Sequence, residues 1–472
     1  MIDIKDINKV YFLGIGGIGM SALARYFRFH GKEVSGYDKT ETPLTKQLVS
    51  EGIPVHYDDN LELAPKDAQL VVYTPAVPKG HTEFMYYQQN NYPLLKRSEV
   101  LGAITRSSFN ICVAGTHGKT TITTMVAHIL RHSEYGCNAF LGGIAVNYNS
   151  NYWSNERDTC VVEADEYDRS FLRLTPDVAV ISAMDPDHLD IYGTTAAMEE
   201  AFVEFAGKIK PGGLLISKYG LPRGNDLKAP NQLTYHLQNT QADIYASNIQ
   251  MNHGTYVFDV QVKDWKLTNV VLNMGGLHNI ENVIAAIAIA HHLGIADEKI
   301  KAAVEAFRGV RRRFEYILKS STPLRQLAEE VGKGPIVFVD DYAHHPEELR
   351  ALITGAKGLF GNMKCTVLFQ PHLFTRTRDL AAEFAEVLDM ADEVVLLPIY
   401  PARELPIAGV TSNTILDKMK NDHKQVLNKE QLLQWVKDKA ATITGEGWLL
   451  ITAGAGDIDT LVQPIKQIIE TI

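Results

Sequence analysis

The stretch Gly115-Thr116-His117-Gly118-Lys119-Thr120-Thr121 dictates what the chain around it can become. It follows the apolar run Asn110-Ile111-Cys112-Val113-Ala114 and leads into Ile122 through Leu130, which reads as a helix. A strand, a tight glycine-containing loop and a helix start make half of a parallel β-α-β unit, so an α/β sheet must form here. The same turn aims unpaired N–H groups and the positive end of a helix dipole at one point, which makes an anion cradle. Lys119 adds a charge for the β and γ phosphates, and the Thr120 hydroxyl can ligate Mg²⁺. The strict nucleotide loop separates its glycines by four residues, yet Val113 stands where the first would be. The stretch is therefore a shortened Gly-x-x-Gly-Lys-Thr form. Such a triplet also arises by chance in surface turns, but the strand before it and the Thr-rich helix after it favour phosphate, with ATP as first ligand.

At 472 residues the chain needs two to four domains, and three is a comfortable number. Hydrophobic residues at 45% and charged ones at 22% describe an ordinary soluble composition with material for several cores. A net charge of −10 argues against a nucleic-acid binder. The start of the chain has no signal-peptide pattern, and no apolar run approaches the ~20 residues that span a bilayer. Cys112, Cys137, Cys160 and Cys365 show no CxxC spacing and read as reduced core residues of a cytoplasmic protein.

The chain opens with a βαβ unit. Lys9 to Leu13 is a strand, Gly14-Ile15-Gly16-Gly17-Ile18-Gly19 a Gly-x-Gly-x-x-Gly turn, Ala22 to Phe27 a helix, and Glu33 to Asp38 a second strand. Asp38 lies where a ribose-binding carboxylate belongs, so Gly16, Gly17, Ile18, Gly19 and Asp38 are candidate substrate contacts. Strands at Leu70–Tyr73 and Pro93–Leu95 complete a small doubly wound sheet. Between Thr234 and Met274 the pattern turns more antiparallel, and an Ala-rich helix follows from about Asn279. Four further apolar runs, beginning at Ile336, Cys365, Glu393 and Trp448, alternate with helices as a third α/β unit. Domains are expected at 1–107, 108–314 and 315–472.

Carboxylates at the carboxyl edge of a parallel sheet, beside a phosphate loop, suit Mg²⁺. Glu163-Ala164-Asp165-Glu166 ends such a strand, and Glu163 is the best metal candidate; the alternative is a solvated acidic loop. His188 stands in Asp185-Pro186-Asp187-His188-Leu189-Asp190 after the next strand and is a candidate metal or phosphate ligand. Asn279 and Asn282 share one helix face; capping and nucleotide contact are equal readings. Arg311-Arg312-Arg313 sits at a domain junction, suited to developing phosphate charge, or to a solvated linker. His344, His372 and Arg376 follow successive strands of the third unit and make a positive cleft edge, while Gly454-Ala455-Gly456-Asp457 reads as a structural turn.

In this order the motifs resemble those of the Mur ligases over essentially the whole chain. The resemblance rests on Gly14 to Ser21, Gly115 to Thr121, Glu163 to Glu166, Asp187 to Asp190, His278-Asn279, Arg312-Arg313-Phe314 and Asp341 to Pro346. It implies a Rossmann-like N-terminal domain for a UDP substrate, a central ATPase domain with a mixed sheet, and a C-terminal Rossmann-like domain that binds an amino acid and closes over the others. It implies a cytoplasmic step of peptidoglycan synthesis, the ATP-driven joining of L-alanine to the lactyl carboxylate of UDP-N-acetylmuramate. The family pattern gives ATP to residues 115–121, with metal on Thr120, Glu163 and His188. Asn279, Asn282 and Arg313 then contact the nucleotide or its γ-phosphate, Asp341 its ribose side, and His344, His372 and Arg376 alanine and the acyl phosphate. Lys119, Glu163, His188, Arg313 and His344 form the catalytic set. Sister ligases carry a carbamylated lysine after the metal histidine; residues 189–207 hold no lysine, with Glu204 as the substitute, and Leu373 replaces an arginine common in relatives. A monomer or weak homodimer is expected, without nucleic acid or membrane partners. Rival readings are an NAD-dependent oxidoreductase built on residues 14–38, a sister ligase that adds a preformed peptide to the same sugar nucleotide, and a nucleotide-gated binding protein.

Overall fold

The computed structural model describes residues 4–186, 189–252, 254–319, 334–402, 404–443 and 445–471. The described residues form an α/β fold with three sheets. Two compact units divide it: one made of Met1–Asn248, Phe258–Val270 and Ile280–Phe307, the other of Ile249–Val257, Val271–Asn279 and Arg308–Ile472.

The first sheet lies in the first unit and is wholly parallel, ordered Val55–His56, Glu33–Tyr37, Lys9–Leu13, Leu70–Tyr73, Leu94–Lys96. Its central strand, Lys9–Leu13, is buried from Val10 onward because parallel strands are covered on both faces. The helix Ile18–Phe29 presses Met20, Leu23 and Phe27 into the core, each worth roughly 1.5–3 kcal/mol of apolar burial. That core runs on without a break into Phe140, Tyr152 and Cys160 of the next sheet.

The second sheet has ten strands, with Phe109–Ala114 between Val178–Ile181 and Thr159–Glu163, parallel to both. Three strand ends therefore meet at one edge. On one side Asn138–Ala145 pairs antiparallel with the outer strand Ser150–Trp153. On the other side, Asn231–His236 is still parallel to both neighbours. Antiparallel pairing starts later than the polar alternation from Thr234 suggests; Thr255–Val262 and Trp265–Leu272 adjoin across the two-residue link Lys263-Asp264, which only antiparallel neighbours permit.

The third sheet, in the second unit, is ordered Glu315–Lys319, Ile336–Asp341, Trp448–Ala453, Lys364–Phe369, Glu393–Leu396, Lys424–Val426. Among its described strands only the first is antiparallel. All four cysteines are buried and unbridged, and burial raises each thiol's pKa, to about 11 for Cys160 and about 12 for Cys137 and Cys365. No helix among the described residues is long and apolar enough to cross a membrane.

Candidate active site

The loop after Phe109–Ala114 takes its shape from two glycines. Gly118 has φ +82°, and a Cβ there would sit 2.9 Å from Asn282 Oδ1; one on Gly115 (φ +132°) would meet Ser182 Oγ at 2.3 Å. Ser182, just past the neighbouring strand, donates to Ala114 O (3.2 Å) and to His117 O. Thr116 joins the same brace, its N–H donating to Ala183 O and its hydroxyl accepting from Asp185 N–H, each at 3.1 Å. His117 is exposed, 3.9 Å from the exposed Asp185 carboxylate, an ion pair of little energy. The helix Lys119–His132 starts at Gly118 without a side-chain cap, so its first N–H groups point outward unclaimed by the helix. Thr121 is buried, and Thr123 and Thr124 bond back to Lys119 O and Thr120 O.

Lys119 Nζ donates to Gly115 O and to Glu166 Oε1, both at 2.7 Å. Thr120 Oγ1 donates to Glu163 Oε1 at 2.9 Å, and Gly142 N–H to Glu163 Oε2 at 3.0 Å. Desolvation raises the pKa of both Glu163 and Glu166, against the opposing pull of Lys119. Two desolvated carboxylates around one ammonium leave local negative charge in excess, and Thr120 with Glu163 offers two hard oxygens at one point. That set suits Mg²⁺, which takes one or two protein oxygens and fills its octahedron with phosphate and water. Among the described residues no group of three or more His, Cys, Asp or Glu could hold a metal. His188 and Asp187 lie outside the described residues. Glu204 is half exposed and paired with Lys208 at 3.1 Å.

The first glycine turn is held from below. Asp38 accepts the Gly16 N–H (2.7 Å) on one oxygen and the Thr40 N–H (3.2 Å) on the other. The expected ribose carboxylate thus fixes the turn itself. Gly17 caps the helix that Ile18 begins. Arg97 lies over Gly19, where a Cβ would stand 2.6 Å from Nη1, while Nη2 is 3.8 Å from Asp165 Oδ2. Sequence reasoning missed this arginine. Its signal was position, since it follows the strand Leu94–Lys96 at the same sheet edge as the turn.

Asn282 faces Gly118, as above. Asn279 is the third residue of the helix Leu277–His292 and not its cap; its amide donates to Gly275 O at 2.6 Å. In the second unit, Asp341 accepts Phe314 N–H and Ala343 N–H, both at 2.7 Å, which ties the Arg312-Arg313-Phe314 turn to a strand end. Arg312 and Arg313 both lie over the Tyr342 ring (5.1 and 5.6 Å), and Arg312 is also anchored on Gly454 O and Asp340. His344 Nδ1 faces Tyr342 O (3.0 Å) and Glu348 Oε2 (3.3 Å), both acceptors, so the proton sits on Nδ1 and Nε2 carries the lone pair. Burial holds His344 below the ordinary imidazole range, against the pull of Glu348. Glu348 also accepts the His344 and His345 N–H groups, an anchor whose sequence signal was the capping-box position after Pro346. His372 lies 6.0 Å from the His344 ring and stacks on Tyr400; its Nδ1 is 3.4 Å from Arg376 Nη1, and desolvation lowers its pKa. Leu373 takes φ +73°, a strained conformation at the start of the Arg376 helix. The turn at Gly454–Asp457 is structural, with Asp457 and the Ile458 N–H gripping Gln370.

Comparison with known proteins agrees with this geometry. Residues 9–109 match the Mur ligase family catalytic domain, 113–290 the Mur ligase middle domain, and 326–456 the Mur ligase glutamate ligase domain. A UDP-N-acetylmuramate–L-alanine ligase of Parabacteroides distasonis is 46% identical over 99% of this chain and 98% of its own. One from Flavobacterium psychrophilum is 44% identical over 99% of both. The solved UDP-N-acetylmuramate–alanine ligase of Thermotoga maritima superposes with a TM-score of 0.79 at 28% identity, covering 98% of each chain. A murein peptide ligase from Psychrobacter arcticus shares the fold at 22% identity, with a TM-score of 0.66 over 98% of this chain and 99% of that one. Two glycine turns at parallel sheet edges, a lysine and a hydroxyl–carboxylate pair behind the second, and full-length likeness to these ligases lead to one conclusion: the chain belongs to the Mur ligase family.

Proposed function

We propose that this chain joins L-alanine to the lactyl carboxylate of UDP-N-acetylmuramate, with ATP becoming ADP and phosphate. The observation that carries this reading is the cluster of Lys119, Thr120 and Glu163 at an uncapped helix start, in a chain that holds a second glycine turn for a second nucleotide. The names of the full-length relatives support it.

A carboxylate resists attack by an amine until one of its oxygens can leave. Transfer of the γ-phosphoryl group to the lactyl carboxylate supplies that leaving group, giving an acyl phosphate and ADP. The alanine amine then adds to the acyl carbon, the tetrahedral oxyanion collapses, and phosphate and one proton depart. Lys119 and the N–H groups of the loop orient and neutralise the transferring phosphate. Thr120 and Glu163 would hold Mg²⁺, with His188 the further ligand that the family resemblance implies, and the bound ion would supply charge neutralisation at the phosphates. Asn282, beside Gly118, and Asn279 contact the nucleotide, and Asp341 serves its ribose side. Arg313 serves the γ-phosphate. Gly16 to Gly19 and Arg97 receive the UDP pyrophosphate, on a turn fixed by Asp38. His344, with its Nδ1–H pinned, offers Nε2 to the amine proton, and His372 and Arg376 receive the alanine carboxylate and acyl phosphate.

One chain carries every residue this scheme uses, so a monomer suffices. Its compartment is the cytoplasm, where ATP and UDP-sugars are made, and four unbridged cysteines suit it. The test is phosphate release from ATP with UDP-N-acetylmuramate, comparing L-alanine, glycine, L-serine and a tripeptide as acceptors. Release that depends on alanine is expected; release only with the tripeptide would make the chain the peptide-adding ligase instead.

A further inference from the structure

The glycine turn that we assign to the UDP pyrophosphate is not braced by its own domain alone. Asn151, on the outer strand Ser150–Trp153 of the second sheet, is fully buried and reaches the start of the helix Ile18–Phe29. Its Nδ2 donates to Ile18 O at 2.5 Å and to Ser21 Oγ at 3.1 Å. Ser21 Oγ donates to the same carbonyl at 2.9 Å. Asn151 Oδ1 accepts from Arg25 Nη1. The Arg25 guanidinium is in turn clamped by Glu51, with Nε at 2.6 Å and Nη2 at 3.0 Å. A guanidinium only donates and a carbonyl only accepts, so the amide has one possible orientation, and all three of its bonds are used.

Burial alone does not explain why a polar amide sits there, because an apolar residue would fill the space without needing three partners. The helix it touches supplies the reason. Gly17 caps that helix with no side-chain bond, and three glycines precede its first full turn. Within the first turn the one side-chain bond that the helix itself supplies is from Ser21 to the Ile18 carbonyl, and its N–H groups are those that meet the phosphates. The Ile18 carbonyl lies in that turn.

We infer that Asn151 is a positioning residue for the sugar nucleotide: a side chain of the ATP-binding domain that sets the geometry of the UDP-phosphate turn. The inference rests on the pyrophosphate reading of residues 14–19. The discriminating variant is Asn151→Asp, which keeps size and keeps an acceptor for Arg25 but removes both donated bonds. The readouts are KM for each of the three substrates, with calorimetric binding of UDP-N-acetylmuramate alone and of ATP alone. KM and Kd for UDP-N-acetylmuramate should rise about tenfold, the worth of one lost hydrogen bond, while those for ATP and L-alanine stay within twofold. Ser21→Ala, a small change that breaks the same link from the other side, should shift the same constants about threefold and guards against a folding defect in the first variant. A fall in thermal stability with all three KM values unchanged in both variants would overturn the inference, as would equal shifts for ATP and UDP-N-acetylmuramate. If the unaltered chain fails to bind UDP-N-acetylmuramate, the pyrophosphate reading itself falls and takes this inference with it.

Discussion

Gly142→Ala tests the metal-side geometry without touching a residue that would contact substrate. Gly142 is exposed, with an ordinary backbone conformation that alanine can adopt. A Cβ there would lie 2.2 and 2.3 Å from the two Glu163 oxygens, against the 3.4 Å at which ordinary contact begins. The carboxylate is the free end of a flexible side chain, so it gives way by about 1.2 Å and leaves Thr120 Oγ1, while the backbone stays. Two hydrogen bonds to the carboxylate are lost, but Glu163 can turn to water, so the fold should lose about 1 kcal/mol or less. Catalysis is less forgiving, because a misplacement of about 1 Å costs roughly 10²-fold. The assay is alanine-dependent phosphate release titrated with Mg²⁺, beside a denaturant melt. The expected result is a kcat/KM down about 100-fold, partly recovered at high Mg²⁺, with near-normal stability. Activity within twofold of the unaltered chain would refute the pairing of Thr120 and Glu163 as the working arrangement.

Lys119→Ala should abolish phosphate release, by about 10³-fold or more, while circular dichroism stays unchanged; near-normal turnover would contradict the role of the loop. Arg97→Ala should raise KM for UDP-N-acetylmuramate about tenfold with KM for ATP unchanged, and Arg97→Lys should restore only part of it, because a point charge cannot reproduce a guanidinium fork. His128 gives a pH test. It is 1% exposed, bonded through Nε2 to Ala303 O and through Nδ1 to the Tyr148 hydroxyl, and burial lowers its pKa to about 4. Unfolded, the imidazole takes its proton near 6.5, so the unfolded chain binds more protons between those values and stability falls as pH drops from 6.5 toward 4. The loss should reach about 3 kcal/mol, and His128→Gln should flatten that part of the curve in denaturant melts; an identical slope in both proteins would remove His128 as its cause.

The alternation of apolar runs with glycine turns made three α/β units legible, since a strand that leads through a glycine turn into a helix has few ways to fold. Glu163 was legible for the same reason: a carboxylate at a strand end must reach the sheet edge, and Thr159–Glu163 is the direct neighbour of the loop strand. What stayed hidden were the contacts made across long sequence distances by residues with no motif. Ser182, Arg97 and Asn151 each act on partners that only the fold brings near. Asp38 and Asp341 show the opposite limit, because a motif fixes that a carboxylate is present but not that backbone N–H groups claim its oxygens.

The four cysteines turn the molecule into its own gauge of opening. A thiol reacts as its thiolate, so a buried thiol with a raised pKa should stay silent toward a chromogenic disulfide reagent. Cys112, Cys137 and Cys160 belong to one compact unit and Cys365 to the other. Colour released on loosening would therefore come in steps of three and one, and the ratio would name which unit gave way first, with no label introduced.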